Sequence, residues 1–240
     1  MTKYELLAWD TNFFGFPVAK IVRPRLVEEE LKSILEELKS REVSLVYWPS
    51  DSKDKESQLA AKRCGGFLAD RKMTYVTELK EKYLGEMAFL TGVEEYKKDE
   101  TTEDLNHLAL LSGIYSRYNL DPKISQRQFE DLYKIWIEKS VKKKIADAVL
   151  VIRVGKRIVG MITLCEKNKR GDIGLLAVDV PVRRKGFGTA LVRAAQAWFV
   201  NKNYKIGQVV TQERNMPARK LYEKCGYRVE KIENFYHFWL

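Results

Sequence analysis

A chain of 240 residues with 45% hydrophobic and 32% charged residues has the makeup of a globular protein with one large or two small domains, which excludes disordered and fibrous classes. No apolar run approaches the ~20 residues of a membrane helix, and the opening MTKYELLAWDTNFFG lacks the apolar stretch of a signal peptide, so a cytoplasmic location without membrane contact is expected. The formal net charge of +10 points to anionic ligands such as nucleic acid, acidic lipid or a polyphosphate.

In chain order, YELLAW (4–9) and VAKIVR (18–23) are β-rich, and DTNFFGFP between them carries the Asp, Asn, Gly and Pro of a turn. VEEELKSILEELKS (27–40) places Leu31, Ile34, Leu35 and Leu38 at helical spacing and predicts an amphipathic helix. SLVYW (44–48) predicts a buried strand, KESQLAAKRC (55–64) a helix stopped by Gly65-Gly66, and FLADRKMTYVTEL (67–79) a strand. Residues 1–85 are thus expected to form a smaller α/β module, joined through a linker at 86–100, which holds Gly92 and EEYKKDE, to a larger domain at 101–240. That domain opens with a helix at 103–116 behind the cap-like Thr102-Glu103-Asp104, a loop SRYNLDPKIS, and a helix QRQFEDLYKIWIEKSVKK with an apolar face. AVLVIRV (148–154) and IVGMITLCEK (158–167) predict a hairpin about Gly155-Lys156-Arg157. Strand DIGLLAV (172–178), helix FGTALVRAAQAWFVN, strand IGQVVTQ, helix PARKLYEKC and strand YRVEKIENFYHFWL complete the chain. The apolar NFYHFWL is expected in a buried sheet position or in a homodimer contact.

AAKRCGGFLADRKMTYV and LYEKCGYRVEKIENFYHF both read helix, Cys, Gly, aromatic, long strand. Coming with a similar order of elements in each half, the echo predicts a truncated N-terminal copy of the C-terminal module. Cys64, Cys165 and Cys225 are odd in number and form no C-x-x-C pair, so neither a disulfide framework nor a zinc site is expected. His107 and His237 sit in no metal-binding pattern, and no metal is expected. KSVKKKI (139–145) reads as a solvated helix end, and without a recognition helix or RNA-binding motif the positive charge does not argue for nucleic acid.

Arg183-Arg184-Lys185-Gly186-Phe187-Gly188 lies between a predicted buried strand and a predicted helix. Glycines there let backbone N–H groups approach a phosphate, the helix N-terminus adds a positive dipole end, and the side chains add charge, which together make a pyrophosphate cradle. It is neither a G-x-G-x-x-G fingerprint nor a P-loop. Farther on, Asn215-Met216-Pro217-Ala218-Arg219-Lys220-Leu221-Tyr222-Glu223-Lys224-Cys225-Gly226-Tyr227 has a helix N-cap in Asn215, Pro217 in the first turn and Gly226 as the stop. Ala218, Leu221, Tyr222 and Cys225 share one face, which by itself allows Tyr222 to be a core filler.

The two constellations, with a strand between them, resemble the GNAT family of acetyltransferases. Its cofactor motif, [R/Q]-x-x-G-x-[G/A], is similar to Arg183-x-x-Gly186-x-Gly188, and its second motif, N-x-x-A-x-x-L-Y-x-x-x-G-[F/Y], to Asn215 through Tyr227. The resemblance implies the GNAT fold, a mixed twisted sheet with flanking helices, preceded by a partial GNAT-like module. It also implies a site for acetyl-CoA, or another short acyl-CoA, built from Leu176, Ala177, Val178, Arg183, Arg184, Lys185, Gly186, Phe187, Gly188, Thr189 and Asn215. In this family the strand Leu175–Val178 splays from its neighbour and bonds the pantetheine arm, an acceptor amine attacks the thioester, and a tyrosine in the place of Tyr222 protonates the leaving thiolate. A phenol with a reference pKa of ~10 can donate to a desolvated thiolate while staying protonated at neutral pH. A backbone N–H near Ala177 or Val178 would hold the oxyanion. Glu166, Asp172 and Glu213 are candidates for the base, and a water chain would serve as well.

The opening L-x-W-D-x-x-F-F-G (Leu7, Trp9, Asp10, Phe13, Phe14, Gly15), SRY at 116–118, LYxxWIxxS at 132–140, IGLLAV and VTQ-x-x-N further resemble the dTDP-fucosamine acetyltransferases and their nucleotide amino-sugar relatives. That resemblance implies a dTDP-linked amino-dideoxysugar as acceptor, in the building of surface glycans. Acetylation of a protein N-terminus, a lysine or a polyamine fits the two GNAT motifs equally. A nonenzymatic CoA- or nucleic-acid-binding module is the alternative of another class, which Tyr222 and the missing recognition helix argue against.

Overall fold

The computed structural model describes residues 2–81, 92–98 and 100–240. Positions 82–91 and 99, with the end of the expected N-terminal module and part of the expected linker, lie outside the described residues. The chain divides into two compact units, one of Met1–Met73 with Lys231–Leu240 and one of Thr74–Glu230.

The first unit holds β1 (Tyr4–Leu6), α1 (Ala8–Phe14), β2 (Val18–Ile21), α2 (Glu28–Ser40), β3 (Leu45–Asp51) and α3 (Lys55–Arg63). It also takes the first part of β4 (Phe67–Glu78) and the second part of the last strand, β10 (Arg228–Trp239). β1 and β2 are antiparallel, β2 and β3 parallel from Val18↔Leu45, and β3 and β10 antiparallel from Asp51↔Glu233 to Leu45↔Trp239. The apolar stripe read at Leu31, Ile34, Leu35 and Leu38 of α2 is buried with Ala60 and Ala61 of α3 against Val46, Trp48, Tyr236 and Phe238. Burial of this area, rather than helix propensity, stabilises the two short helices.

The first five residues of DTNFFGFP are not a turn but most of α1. Trp9 and Phe13, one helical turn apart, stack with centroids 5.3 Å apart and planes 5° from parallel, and Gly15 ends the helix. Local aromatic packing outweighs the turn preference of Asp10 and Asn12. The NFYHFWL segment occupies an interior sheet position, with Phe235, Tyr236, His237 and Phe238 buried. The structure groups this segment with the first unit, whereas the sequence reading places it in the C-terminal domain. The reason is that Tyr236 and Phe238 complete the core under α2 and α3.

The second unit carries β5 (Val93–Glu95), α4 (Glu103–Gly113), α5 (Arg117–Leu120), α6 (Gln126–Val141), β6 (Ala148–Val154), β7 (Arg157–Lys167) and β8 (Arg170–Val178). A 3-10 turn (Val180–Val182), α7 (Phe187–Asn201), β9 (Ile206–Gln212) and α8 (Met216–Lys224) follow. β5, β6, β7 and β8 form an antiparallel meander, and β9 joins β8 in parallel. This is a mixed sheet flanked by helices. Thr102 caps α4 by accepting from Leu105 N–H at 3.3 Å, and Ser125 and Gln128 cap α6 reciprocally. Asp104 joins α4 to β7 through Arg157 and the N–H of Ile158.

Two short elements were not expected. β5 sits in the stretch read as linker and pairs Val93 with Ile152, too short and acidic to show alternation. α5 sits in the stretch read as loop, held by the buried ring of Tyr118 edge-on to Trp136 at 5.9 Å. Among the described residues no helix is long and apolar enough to cross a membrane.

Candidate active site

The site grows from a defect in the sheet. Ile162 pairs with Leu176 and Leu164 with Ile173, so Gly174 and Leu175 together lie opposite Thr163 in a β-bulge. The parallel ladder to β9 has its last pair at Ile173↔Val209, while β8 runs on to Val178 and β9 to Gln212. Among the described residues, β8 therefore has an unpaired edge just past the bulge.

The polarity of that edge follows from the ladder to β7. Asp179 N–H donates to Val159 at 2.8 Å, and opposed residues of an antiparallel pair alternate between bonded and non-bonded. Ala177, opposite Met161, spends its backbone groups on β7, and Leu176 and Val178 turn theirs to the open edge. Arg183 shows the consequence, for its Nε donates to the Val178 carbonyl at 2.9 Å. Of the two positions expected to meet an oxyanion, Val178 is the one whose N–H faces outward.

The turn leaving β8 is fixed at both ends. Asp179 caps the 3-10 turn through Val180 N–H at 2.8 Å and meets Nε2 of His107 at 3.2 Å. Arg183, Arg184, Lys185 and Gly186 are exposed, and Phe187, Gly188 and Thr189 are half-buried. Gly186 is the N-cap of α7 at φ 89° with no side-chain cap, a conformation that suits glycine. A Cβ on Gly188 would approach Leu221 Cδ2 to 3.1 Å, so the first turn of α7 packs closely on α8. The start of α7 is thus an uncapped helix N-terminus beside three exposed cations, the arrangement that attracts phosphate.

Asn215 caps α8 by accepting from Ala218 N–H at 3.2 Å, which sets where the helix begins. Tyr222 is 4% exposed, its ring 6.1 Å from that of Tyr75 and 6.0 Å from that of Tyr227. Burial holds its phenol well above the ordinary tyrosine pKa, assisted by Cys225 and Asp172. A phenol in such a setting stays protonated at neutral pH. Tyr75, for which no sequence signal existed, backs this ring. Its hydroxyl donates to Glu223 at 2.9 Å and accepts from Arg219 Nε at 3.4 Å.

The three candidate bases have different settings. Glu166 is exposed and accepts from the Tyr204 hydroxyl at 3.0 Å. Glu213 is half-buried just beyond β9, and its backbone carbonyl accepts from Arg219 at 3.1 Å. Asp172 is buried, accepts from Gln208 Nε2 at 2.8 Å, and has its pKa raised by desolvation against the pull of that hydrogen bond. Thr163, Gly174 and Tyr75 escaped the sequence reading. Only Gly174 carried a signal, as a glycine inside an apolar strand. Among the described residues no group of three or more His, Cys, Asp or Glu is placed to hold a metal ion.

Residues 111–227 match the model of the acetyltransferase (GNAT) family. The chain is 23% identical over 138 residues to the spore coat polysaccharide biosynthesis protein SpsD of Bacillus subtilis (strain 168), covering 58% of this chain and 47% of that one. It is 30% identical over 121 residues to N-alpha-acetyltransferase 30 of Xenopus laevis, covering 48% and 44%. It thus spans about half the length of these curated relatives. A solved GCN5-related N-acetyltransferase from Sphaerobacter thermophilus superposes with a TM-score of 0.61 at 13% identity, covering 98% of this chain and 76% of that one. The chain has the GNAT fold, and its residues 111–227 are similar to the GNAT acetyltransferases.

Proposed function

We propose that the protein is an acyl-CoA-dependent N-acyltransferase, acting in the cytoplasm, that moves an acetyl or another short acyl group onto the amino group of a dTDP-linked amino-dideoxysugar. The observation that carries the acyl-CoA part is the parting of β8 from β9 after Ile173↔Val209. It leaves Leu176 and Val178 with outward backbone groups one short turn before Arg183 to Gly188. An extended amide-bearing arm fits such an edge, and its pyrophosphate fits the start of α7. These features fit acyl-CoA residue by residue. Leu176, Ala177 and Val178 line the arm, Arg183 through Thr189 hold the pyrophosphate, and Asn215 sets the start of the helix that bears Tyr222.

Bound acyl-CoA would supply the thioester carbonyl that the acceptor amine attacks. Val178 N–H then donates to the oxyanion, a fixed dipole that needs no reorganisation as charge develops. Tyr222 gives its hydroxyl proton to the departing sulfur, for which its raised pKa keeps it protonated, and the proton released by the attacking amine passes through water to restore the phenol.

The sugar part is supported by the similarity to a spore coat polysaccharide biosynthesis protein and by the WDxxFFG opening, which forms α1. The similarity to an N-alpha-acetyltransferase favours a second reading, with a peptide N-terminus as acceptor. Mass spectrometry after incubation with a panel of acyl-CoAs against dTDP-amino sugars and short peptides separates them. A product heavier by one acetyl group is expected on a sugar, and acylation of peptides alone would replace the first reading by the second.

A further inference from the structure

Within the proposed acyl-CoA site, on which this inference rests, one buried polar side chain has no part in the mechanism above. Thr163, in the middle of β7, is 3% exposed. Its Oγ1 accepts from Leu175 N–H at 2.8 Å. A ladder that gains an extra residue leaves a backbone donor without a strand partner, and here a side chain takes the place of the missing carbonyl. Gly174 makes room for it, since a Cβ there would stand 2.7 Å from Thr163 Oγ1, a separation that real Cβ atoms essentially never show. The hydroxyl and the glycine form a matched pair.

We propose that Thr163 is a positioning residue, whose hydroxyl latches the Gly174–Leu175 bulge and thereby sets Leu176 and Val178 to face the acyl arm. The bulge decides the phase of everything after it. Side chains and backbone groups alternate along a strand, so without the extra residue Leu176 and Val178 would turn their N–H groups into β7 and Ala177 would face outward. The latch therefore acts on the arm and the thioester, while the pyrophosphate turn keeps its own local supports, the Asp179 cap on Val180 N–H and the left-handed Gly186.

The test is calorimetric titration of the intact chain with two probes, acetyl-CoA and 3′-phospho-ADP, the second lacking the acyl arm. Thr163→Val keeps the shape and removes the acceptor, leaving Leu175 N–H without the oxygen that accepts from it. It is expected to weaken acetyl-CoA about tenfold, the scale of a lost hydrogen bond, with 3′-phospho-ADP affinity unchanged. Thr163→Ser should restore acetyl-CoA affinity to within about threefold, since the accepting oxygen returns. Gly174→Ala, which displaces the hydroxyl without touching Thr163, should reproduce the selective loss and carries the test should Thr163→Val not fold. Unchanged acetyl-CoA affinity, or a parallel loss of both probes, would overturn the assignment. Wild-type protein that binds neither probe would overturn the acyl-CoA reading and the latch together, a result told apart by the wild-type titration alone.

Discussion

The two halves of the sequence contain the same run of elements at one constant interval. β3 at Leu45–Asp51, α3 at Lys55–Arg63 and β4 at Phe67–Glu78 are matched by β9 at Ile206–Gln212, α8 at Met216–Lys224 and β10 at Arg228–Trp239. Asp54 caps α3 through Ser57 N–H as Asn215 caps α8 through Ala218 N–H. Each helix ends on a cysteine and a left-handed glycine, Cys64-Gly65 and Cys225-Gly226. Ala61 stands where the second copy has Tyr222. The helices before these runs diverge in charge. α2 begins with Glu28, Glu29 and Glu30, and the Glu30 side chain accepts from Val27 N–H. α7 begins on Gly186 after Arg183, Arg184 and Lys185, with no side-chain cap. An anion suits the second helix start and is repelled at the first. Shared architecture thus supplies a scaffold twice, and the proposed chemistry falls in the copy whose helix start is basic and whose second helix carries Tyr222.

The sharpest way to break the comparison is to make the second copy resemble the first at its hydroxyl. Tyr222→Phe keeps the ring among Tyr75 and Tyr227 and deletes only the donor. As general acid, Tyr222 should cost ~10²–10⁴-fold in kcat when lost, with little change in acetyl-CoA affinity. Steady-state rates within a few-fold of wild type, measured where chemistry limits turnover, would reduce Tyr222 to the packing role that Ala61 has.

A smaller effect is expected from giving α7 the acidic start of α2. Gly186→Asp meets no atom within 4 Å of the new Cβ, although φ 89° is strained for any side chain. Its carboxylate would compete for the first-turn N–H groups and oppose the pyrophosphate. Opposed like charges cost several kcal/mol, so acetyl-CoA affinity should fall by about 10²-fold while the far-ultraviolet circular dichroism stays unchanged. Calorimetry showing undiminished affinity would detach the turn from the cofactor.

How much of this was legible in the sequence follows from the range of the forces involved. The 183–188 turn and the α8 motif are local, written in glycines, a cap and a proline, and their helix starts after Gly186 and Asn215 and the stop at Gly226 were read at the right residues. So was the stripe of α2, because side-chain spacing alone defines it. The Thr163–Gly174 bulge was not, since its hydrogen bond joins two strands and its register exists only once they pair. The same holds for β5, whose Val93 needs Ile152 beside it, and for the division of β10, set by Tyr236 and Phe238 in the α2–α3 core. In α1 the turn-forming residues were read correctly as types, but the Trp9–Phe13 stack overrode them.

The smallest expected effect concerns Asp172, and it separates the units by pH. Its carboxyl, raised by burial, holds a proton in the folded chain to higher pH than it would unfolded. The folded state then binds more protons than the unfolded one across that window, so this contribution to stability is complete below the unfolded value, near pH 4, and is lost as pH rises through the folded value. Glu233 in the first unit, with Lys72 at 3.0 Å and Lys231 at 2.7 Å, has the opposite sign. Burial pushes its carboxyl up, but the two lysines outweigh it and hold it below the ordinary glutamate range, so its contribution is present at neutral pH and lost on acidification. Asp172→Asn keeps an oxygen to accept from Gln208 and removes the ionisation, whereas Glu233→Gln weakens both lysine contacts. Melting curves from pH 3 to 8 should show the Asp172→Asn chain gaining Tm over wild type as pH rises, and the Glu233→Gln chain losing Tm over the same range. A wild-type-minus-variant difference that is flat with pH for Asp172→Asn would mean that the buried carboxyl ionises in the fold as freely as in the unfolded chain.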